Sequence, residues 1–71
     1  MTEHVYKVVE LVGSSKEGVD GAIRTAIGRA GETVRHLRWF EVTQIRGVVG
    51  DAGKIEYTQV SLKAGFTLEG D

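Results

Sequence analysis

The chain has only one segment with helical periodicity, and this limits what its strand-forming segments can fold into. Apolar residues recur at helical spacing, which predicts a helix over about residues 15–36; they are Val19, Ile23, Ala26, Ile27, Ala30, Val34 and Leu37. A helix of about 20 residues at roughly 1.5 Å each is as long as a nine-residue strand. One such helix can cover one face of a three-stranded sheet, so the other face must be covered by a ligand or another subunit.

Three segments rich in β-branched residues surround this helix in the sequence. Strands are predicted over residues 5–12, 37–49 and 54–68, with a turn at residues 50–53 whose two glycines can adopt positive φ. The order β-α-β-β predicts an α+β fold in a single domain, residues 1–71. We expect the third strand to lie between the other two, with all neighbours antiparallel.

The ends of the helix carry recognisable signals. Gly13 is expected to end the first strand, and Ser14 to act as N-cap in a capping box with Glu17. Arg35 and His36 would lie in the last turn, where cations are favoured. Glycines interrupt the helix at a cost of up to about 1 kcal/mol each relative to Ala, which favours close packing of the sheet on the helix over a pore or ligand contact. They stand at Gly18, Gly21, Gly28 and Gly31.

Alternation along the strands assigns the two faces of the sheet. The apolar set expected against the helix comprises Phe40, Val42, Thr58, Val60, Leu62, Ala64 and Phe66. The opposite face would carry Trp39, Glu41, Thr43, Ile45, Tyr57, Gln59, Ser61 and Lys63. A tryptophan on an uncovered face is either an interface residue or a stacking platform for a flat ligand.

Size and composition narrow the classes of function. A chain of 71 residues buries only about 60% of its unfolded surface, so a monomer would be marginal. Without cysteine, and with two histidines too few for a metal site, oligomerisation is the remaining means of stabilisation. The net charge of −1 favours neither nucleic-acid nor membrane binding. The lack of a spanning segment, signal peptide or cysteine predicts a cytoplasmic protein.

The residues suggest binding rather than catalysis. No nucleophile–base grouping, metal-binding pair or phosphate loop is present, so no catalytic residue is predicted and the chain is not expected to be an enzyme. The Trp39 indole and the Gln59 amide together suit a planar heterocycle with a polar edge, and Arg46 could meet a phosphate. From composition alone, however, an interface role for Trp39 and Gln59 is favoured.

Four segments together resemble the dodecin family over nearly the whole chain. They are residues 7–15 (KVVELVGSS), residues 33–42 (TVRHLRWFEV), residues 45–47 (IRG), and Gln59-Val60 followed by residues 65–68 (GFTL). The resemblance implies a three-stranded antiparallel sheet wrapped around one helix. It also implies assembly of twelve such β-α-β-β subunits into a hollow homododecamer, with flavins bound in pairs between tryptophans at two-fold subunit contacts.

The resemblance also implies roles for particular residues. Trp39 would stack on the flavin and Gln59 would hydrogen-bond the polar edge of its ring system. Arg46 would lie near the ribityl-phosphate end, with Gln44 a weaker candidate for contact with the ribityl chain. The implied ligand is FMN or riboflavin, and the implied function is flavin storage, sequestration and photoprotection. The alternative is an oligomeric scaffold that binds coenzyme A or another planar phosphorylated ligand.

Two departures from the family pattern bear on the site. Thr67 stands where many bacterial members have Arg, which weakens the case for a second phosphate contact. The start of the third strand is also one residue longer than in close relatives. If a turn or bulge absorbs this residue, Gln59 keeps its face, whereas a register shift would replace it by Thr58. The apolar partners Val60, Leu62 and Phe66 favour the first case.

Overall fold

The computed structural model describes residues 3–68, which form one antiparallel sheet and one helix. The elements in chain order are β1 (Tyr6–Ser15), α1 (Gly18–Ala30), β2 (Leu37–Val49), a turn of 3₁₀ helix (Asp51–Gly53) and β3 (Ile55–Thr67). The strand order is β1-β3-β2, and β3 pairs antiparallel with both neighbours. The predicted β-α-β-β fold, with the third strand in the centre, is therefore confirmed.

The first strand is longer than predicted, and the prediction of a capping box at Ser14 is wrong. β1 continues through Gly13 to Ser15 because Ser14 and Ser15 remain paired with β3. Glu17 occupies the N-cap position of α1, but its side chain makes no capping hydrogen bond. The Glu17 amide instead donates to Ser15 Oγ at 2.9 Å. Pairing with a distant strand thus overrode a local helix signal.

The helix also ends earlier than predicted, at Ala30 rather than His36. Arg29 is the basic residue of its last turn, and residues 31–36 form a loop. His36 reverses the chain into β2 with a φ of +65°, and its carbonyl oxygen accepts a hydrogen bond from the Thr67 amide at 3.2 Å. A left-handed residue cannot continue a right-handed helix, so a helix running through residue 36 is excluded.

The core lies where α1 crosses the sheet. Its buried members are Ala22, Ala26, Val60, Leu62 and Ala64. Gly13 does not break β1; a Cβ there would overlap the Ala22 carbonyl oxygen, so this glycine lets the helix approach the strand. Among the helix glycines, Gly21 packs closely against Ser15, whereas Gly28 faces open space. The predicted close packing therefore depends more on Gly13 of the strand than on the glycines of the helix.

The helix packs mainly on β1 and β3 and leaves much of β2 uncovered. Phe40 is opposite Ala64 and so lies on the helix side, as predicted, but the residue remains 47% exposed. Ile45 is opposite Val60 on the same side and is 59% exposed. The isolated protomer thus has an uncovered apolar strip along one edge of its sheet.

A β-bulge at Thr43 reverses the faces of the sheet on which the following residues of β2 lie, relative to the prediction. The pairing steps from Val42 opposite Leu62 to Gln44 opposite Ser61, which leaves Thr43 as an extra residue. The prediction that Ile45 shares the Trp39 face is therefore wrong. The same step turns Gln44 and Arg46 to the face away from the helix.

A second irregularity accounts for the extra residue at the start of β3. Val48 is opposite Tyr57 and Val49 is opposite Ile55, so Glu56 has no partner in β2. The register beyond this point is unaffected, and Gln59 lies opposite Arg46. Of the two cases that the sequence left open, absorption in a bulge is the one observed.

Candidate functional site

The candidate site is the face of the sheet turned away from α1, which we call the outer face. Cross-strand partners lie on the same side of a sheet, so the register defines its members. They include Tyr6, Val8, Glu10 and Val12 of β1, Trp39, Glu41, Gln44 and Arg46 of β2, and Gln59, Ser61, Lys63 and Gly65 of β3. Its functional side chains form two groups, an aromatic one and a polar one.

Trp39 anchors the aromatic group, and its indole lies against Gly65 of β3. A register shift between Leu37 and Trp39 places the indole opposite Gly65. A Cβ on Gly65 would overlap the ring atoms Cε2, Cζ2 and Cδ2, so the ring covers the space where a side chain would stand. The indole thus packs against the strand backbone at Gly65, and the residue remains 40% exposed. This is the geometry of a stacking platform.

Tyr6 stands beside this platform, on the opposite edge strand. Its ring centroid is 5.9 Å from that of Trp39, and the two planes are tilted by 59°. These values lie in the range of favourable aromatic pairs. Tyr6 is itself 43% exposed, and His4 lies a further 6.4 Å from it, centroid to centroid. The outer face therefore ends in an aromatic corner open to solvent.

The polar group is organised around the guanidinium of Arg46. Its Nη2 donates to Gln44 Oε1 and to Ser61 Oγ, each at 2.7 Å, and its Nη1 donates to Gln59 Oε1 at 3.4 Å. Within residues 3–68, no carboxylate lies within 4.0 Å of Arg46. Neutral acceptors thus hold the guanidinium in place without cancelling its charge, which suits it to bind an anion.

A depression of about 370 Å³ adjoins this polar group. Its lining includes Glu10 and Val12 of β1 as well as Gln44 and Ser61. The depression therefore lies next to two of the residues that hold Arg46, and Glu10, which carries a carboxylate, is part of its wall.

The structure brings together three of the four predicted site residues in one protomer. Gln44, Arg46 and Gln59 are in direct hydrogen-bonding contact, whereas Trp39 is remote from them. Trp39 lies opposite Gly65, which is six residues from Gln59 along β3, or roughly 20 Å. A single planar ring system cannot span that distance within one protomer.

Three residues of the outer face were not assigned a site role from the sequence. Ser61 was placed on the correct face, but its bond to Arg46 depends on the bulge at Thr43, which alternation does not reveal. Gly65 and Tyr6 contact Trp39 across strands, through a register that no local pattern specifies. The glycine in the GFTL segment was the only available signal, since an isolated glycine in a strand often marks a close approach.

Two features are missing from the part of the chain that the structure describes, a group of potential metal ligands and a membrane-spanning helix. In residues 3–68, no three or more side chains of His, Cys, Asp or Glu are grouped so that they could hold a metal ion. The helix found in this region is too short and too polar to cross a bilayer.

Comparison with known proteins relates this geometry to a family. The family model for Dodecin matches residues 5–69. A dodecin of Thermus thermophilus is 60% identical over 65 residues, which cover 92% of this chain and 93% of that protein. The calcium dodecin of Mycobacterium tuberculosis is 33% identical over 64 residues, covering 90% and 89%.

Solved structures agree with this relationship. The dodecin of Streptomyces coelicolor superposes with a TM-score of 0.90 at 52% identity, covering all of both chains. The dodecin of Streptomyces davaonensis gives a TM-score of 0.89 at 48% identity, covering 96% of this chain and 98% of that one. Sequence and fold agree over nearly the full length, and the chain belongs to the dodecin family.

Proposed function

We propose that this protein binds flavin, as FMN or riboflavin, and serves to store it and protect it from light. The observation that carries the proposal is the Trp39 indole, which packs against Gly65 while the residue remains 40% exposed. An isoalloxazine ring is planar and apolar on its faces, so it can stack on such a surface. An indole in close contact quenches the excited flavin by electron transfer, which would limit its photochemistry.

The separation of the two residue groups supports a site shared between subunits. Because Trp39 and Gln59 are roughly 20 Å apart in one protomer, a flavin stacked on Trp39 would meet Gln59 of the partner subunit. In a two-fold contact each residue pair occurs twice, so such a contact would hold two flavins. The uncovered apolar strip at Phe40 and Ile45 also favours assembly. We propose the homododecamer implied by family membership as that assembly.

Arg46 is the proposed anchor for the phosphate of FMN. Its charge is not neutralised by a nearby carboxylate, and Gln44, Gln59 and Ser61 orient the guanidinium. Gln44 would act chiefly through Arg46, with a secondary contact to the ribityl chain. FMN should accordingly bind more tightly than riboflavin.

We infer a binding protein rather than an enzyme, located in the cytoplasm and assembled only with itself. The adjoining charged groups of the outer face, Glu10, Lys63 and Glu41, are cross-strand neighbours, an arrangement that stabilises sheet surfaces in general and does not by itself indicate catalysis. Neither nucleic acid nor a membrane is a proposed partner, since the chain is nearly neutral.

A second candidate ligand follows from the position of Arg46. Its charge would serve any phosphorylated molecule, so a scaffold that binds coenzyme A remains the alternative. Equilibrium dialysis of the purified protein against riboflavin, FMN or coenzyme A, each alone, distinguishes a flavin-binding protein from a coenzyme A-binding scaffold. The proposal expects about one flavin per protomer, with FMN retained best. Retention of coenzyme A without retention of either flavin would favour the alternative.

A further inference from the structure

Tyr6 is the one aromatic side chain in ring contact with Trp39 within residues 3–68, and the contact crosses the whole sheet. Tyr6 belongs to β1 and Trp39 to β2, with β3 between them. The two rings can meet only because Gly65 of the intervening strand has no side chain. Their contact therefore joins the two edge strands directly.

We propose that Tyr6 positions the Trp39 indole and forms the side wall of the stacking platform. Gly65 supports the indole from below but cannot stop it from turning in the plane of the sheet or lifting away. The Tyr6 ring, tilted by 59° at a centroid distance of 5.9 Å, blocks rotation toward β1. Fixing the indole before the ligand arrives reduces the entropy lost on binding.

The same position makes Tyr6 a contact for a planar aromatic ligand, and this part of the inference depends on the proposed flavin site. A ring stacked on Trp39 would have one edge against Tyr6, in the edge-to-face arrangement that aromatic pairs favour. The Tyr6 hydroxyl makes no hydrogen bond to residues 3–68, so its contribution to Trp39 comes from the ring alone. Phenylalanine should therefore replace it.

The first test needs no ligand, because Trp39 is the sole tryptophan and its emission can be excited selectively. Time-resolved anisotropy would be compared among wild type, Tyr6→Phe and Tyr6→Ala. Tyr57→Ala is the matched control, since Tyr57 is also half-exposed on β3 but lies opposite Val48, far from Trp39. We expect fast local depolarisation in Tyr6→Ala only. Wild-type anisotropy in Tyr6→Ala would overturn the positioning role.

The second test measures FMN affinity in the same variants. Tyr6→Ala should bind about three- to tenfold more weakly at unchanged stoichiometry, while Tyr6→Phe and Tyr57→Ala stay near wild type. Unchanged affinity in Tyr6→Ala would remove Tyr6 from the ligand contact. If Tyr6→Ala does not fold, Tyr6→Leu keeps the bulk without the aromatic ring. If wild type binds no flavin, the proposed function fails, while the anisotropy comparison still decides the positioning role.

Discussion

Trp39 owes its half-exposed position on the sheet to Gly65, the residue against which it packs, rather than to its own sequence neighbours. Alternation correctly placed Trp39 and Phe40 on opposite faces, since they lie opposite Gly65 and Ala64. It could not identify Gly65 as the support, because a residue 26 positions away in sequence is fixed only by the register of two strands. The quality of the platform is thus a tertiary property that the local pattern does not contain.

Gly65→Ala tests this support. The added Cβ would displace the indole, so we expect flavin affinity to fall about tenfold or more, with a loss of about 1–3 kcal/mol in the free energy of unfolding from overpacking. Calorimetric titration and urea unfolding would measure the two effects. Gly28→Ala is the control, because its Cβ would face open space and should strengthen the helix. Wild-type affinity in Gly65→Ala would contradict the platform geometry.

Arg46→Ala tests the phosphate contact. Removing the guanidinium should weaken the binding of FMN by on the order of 1.5–3 kcal/mol. The binding of riboflavin should weaken much less, because only FMN carries a phosphate. The measurement is the dissociation constant of each flavin, for wild type and variant, at two salt concentrations. Ser61→Ala removes one acceptor of the Arg46 guanidinium but keeps its charge, so it should reduce FMN affinity less than Arg46→Ala does. If Arg46→Ala lost the same affinity for FMN and for riboflavin, Arg46 would not be a phosphate contact.

At the level of elements, the sequence predicted strands and topology well and irregularities poorly. The bounds of β2 match the prediction because its β-branched and aromatic residues favour a strand and Gly50 follows its last residue. The bulge at Thr43 was missed, and without it strict alternation would turn Gln44 and Arg46 toward the helix. The residue roles suggested by family resemblance are thus compatible with the fold only through a feature that periodicity cannot detect.

The turn between β2 and β3 offers a prediction at this scale. Ala52 adopts a φ of +61°, which is strained for a residue with a Cβ, whereas Gly50 does not use the positive φ expected of it. Ala52→Gly should raise the free energy of unfolding by about 0.5–1 kcal/mol, measured by urea denaturation at fixed protein concentration. Gly53→Ala, at a φ of +73°, should lower it. Destabilisation by Ala52→Gly would show that this turn is not strained.

At the level of the whole molecule, the protomer is too elongated to bury a large core. Its radius of gyration is 14.6 Å and its extents are 55 × 20 × 14 Å, whereas a compact chain of this length would have a radius of roughly 11 Å. The buried hydrophobic residues are four alanines together with Val60 and Leu62, so the core contains few large side chains. Composition predicted a need for oligomerisation, and the shape of the protomer gives that need a physical basis.

Mixed assembly tests whether the site is shared between subunits. Trp39→Ala and Gln59→Ala protomers would be unfolded, mixed and refolded together, then assayed for tight flavin sites. If Trp39 of one subunit works with Gln59 of the partner subunit, about a quarter of the sites become intact on random mixing. Each variant refolded alone is the control and should have no site of wild-type affinity, with Gln59→Ala weakened by on the order of 1–2 kcal/mol and Trp39→Ala by more. Absence of intact sites in a mixture shown to co-assemble would place both residues in a single-protomer site.

The central claim is most directly tested by fluorescence titration of FMN and riboflavin with the purified protein, with Trp39→Ala as the matched control. Stacking on Trp39 predicts strong quenching that saturates near one flavin per protomer. It also predicts that Trp39→Ala keeps its assembly, checked by size-exclusion chromatography, but loses most of the quenching. Flavin fluorescence that stays unquenched at micromolar wild-type protein, or quenching that persists fully in Trp39→Ala, would contradict the account.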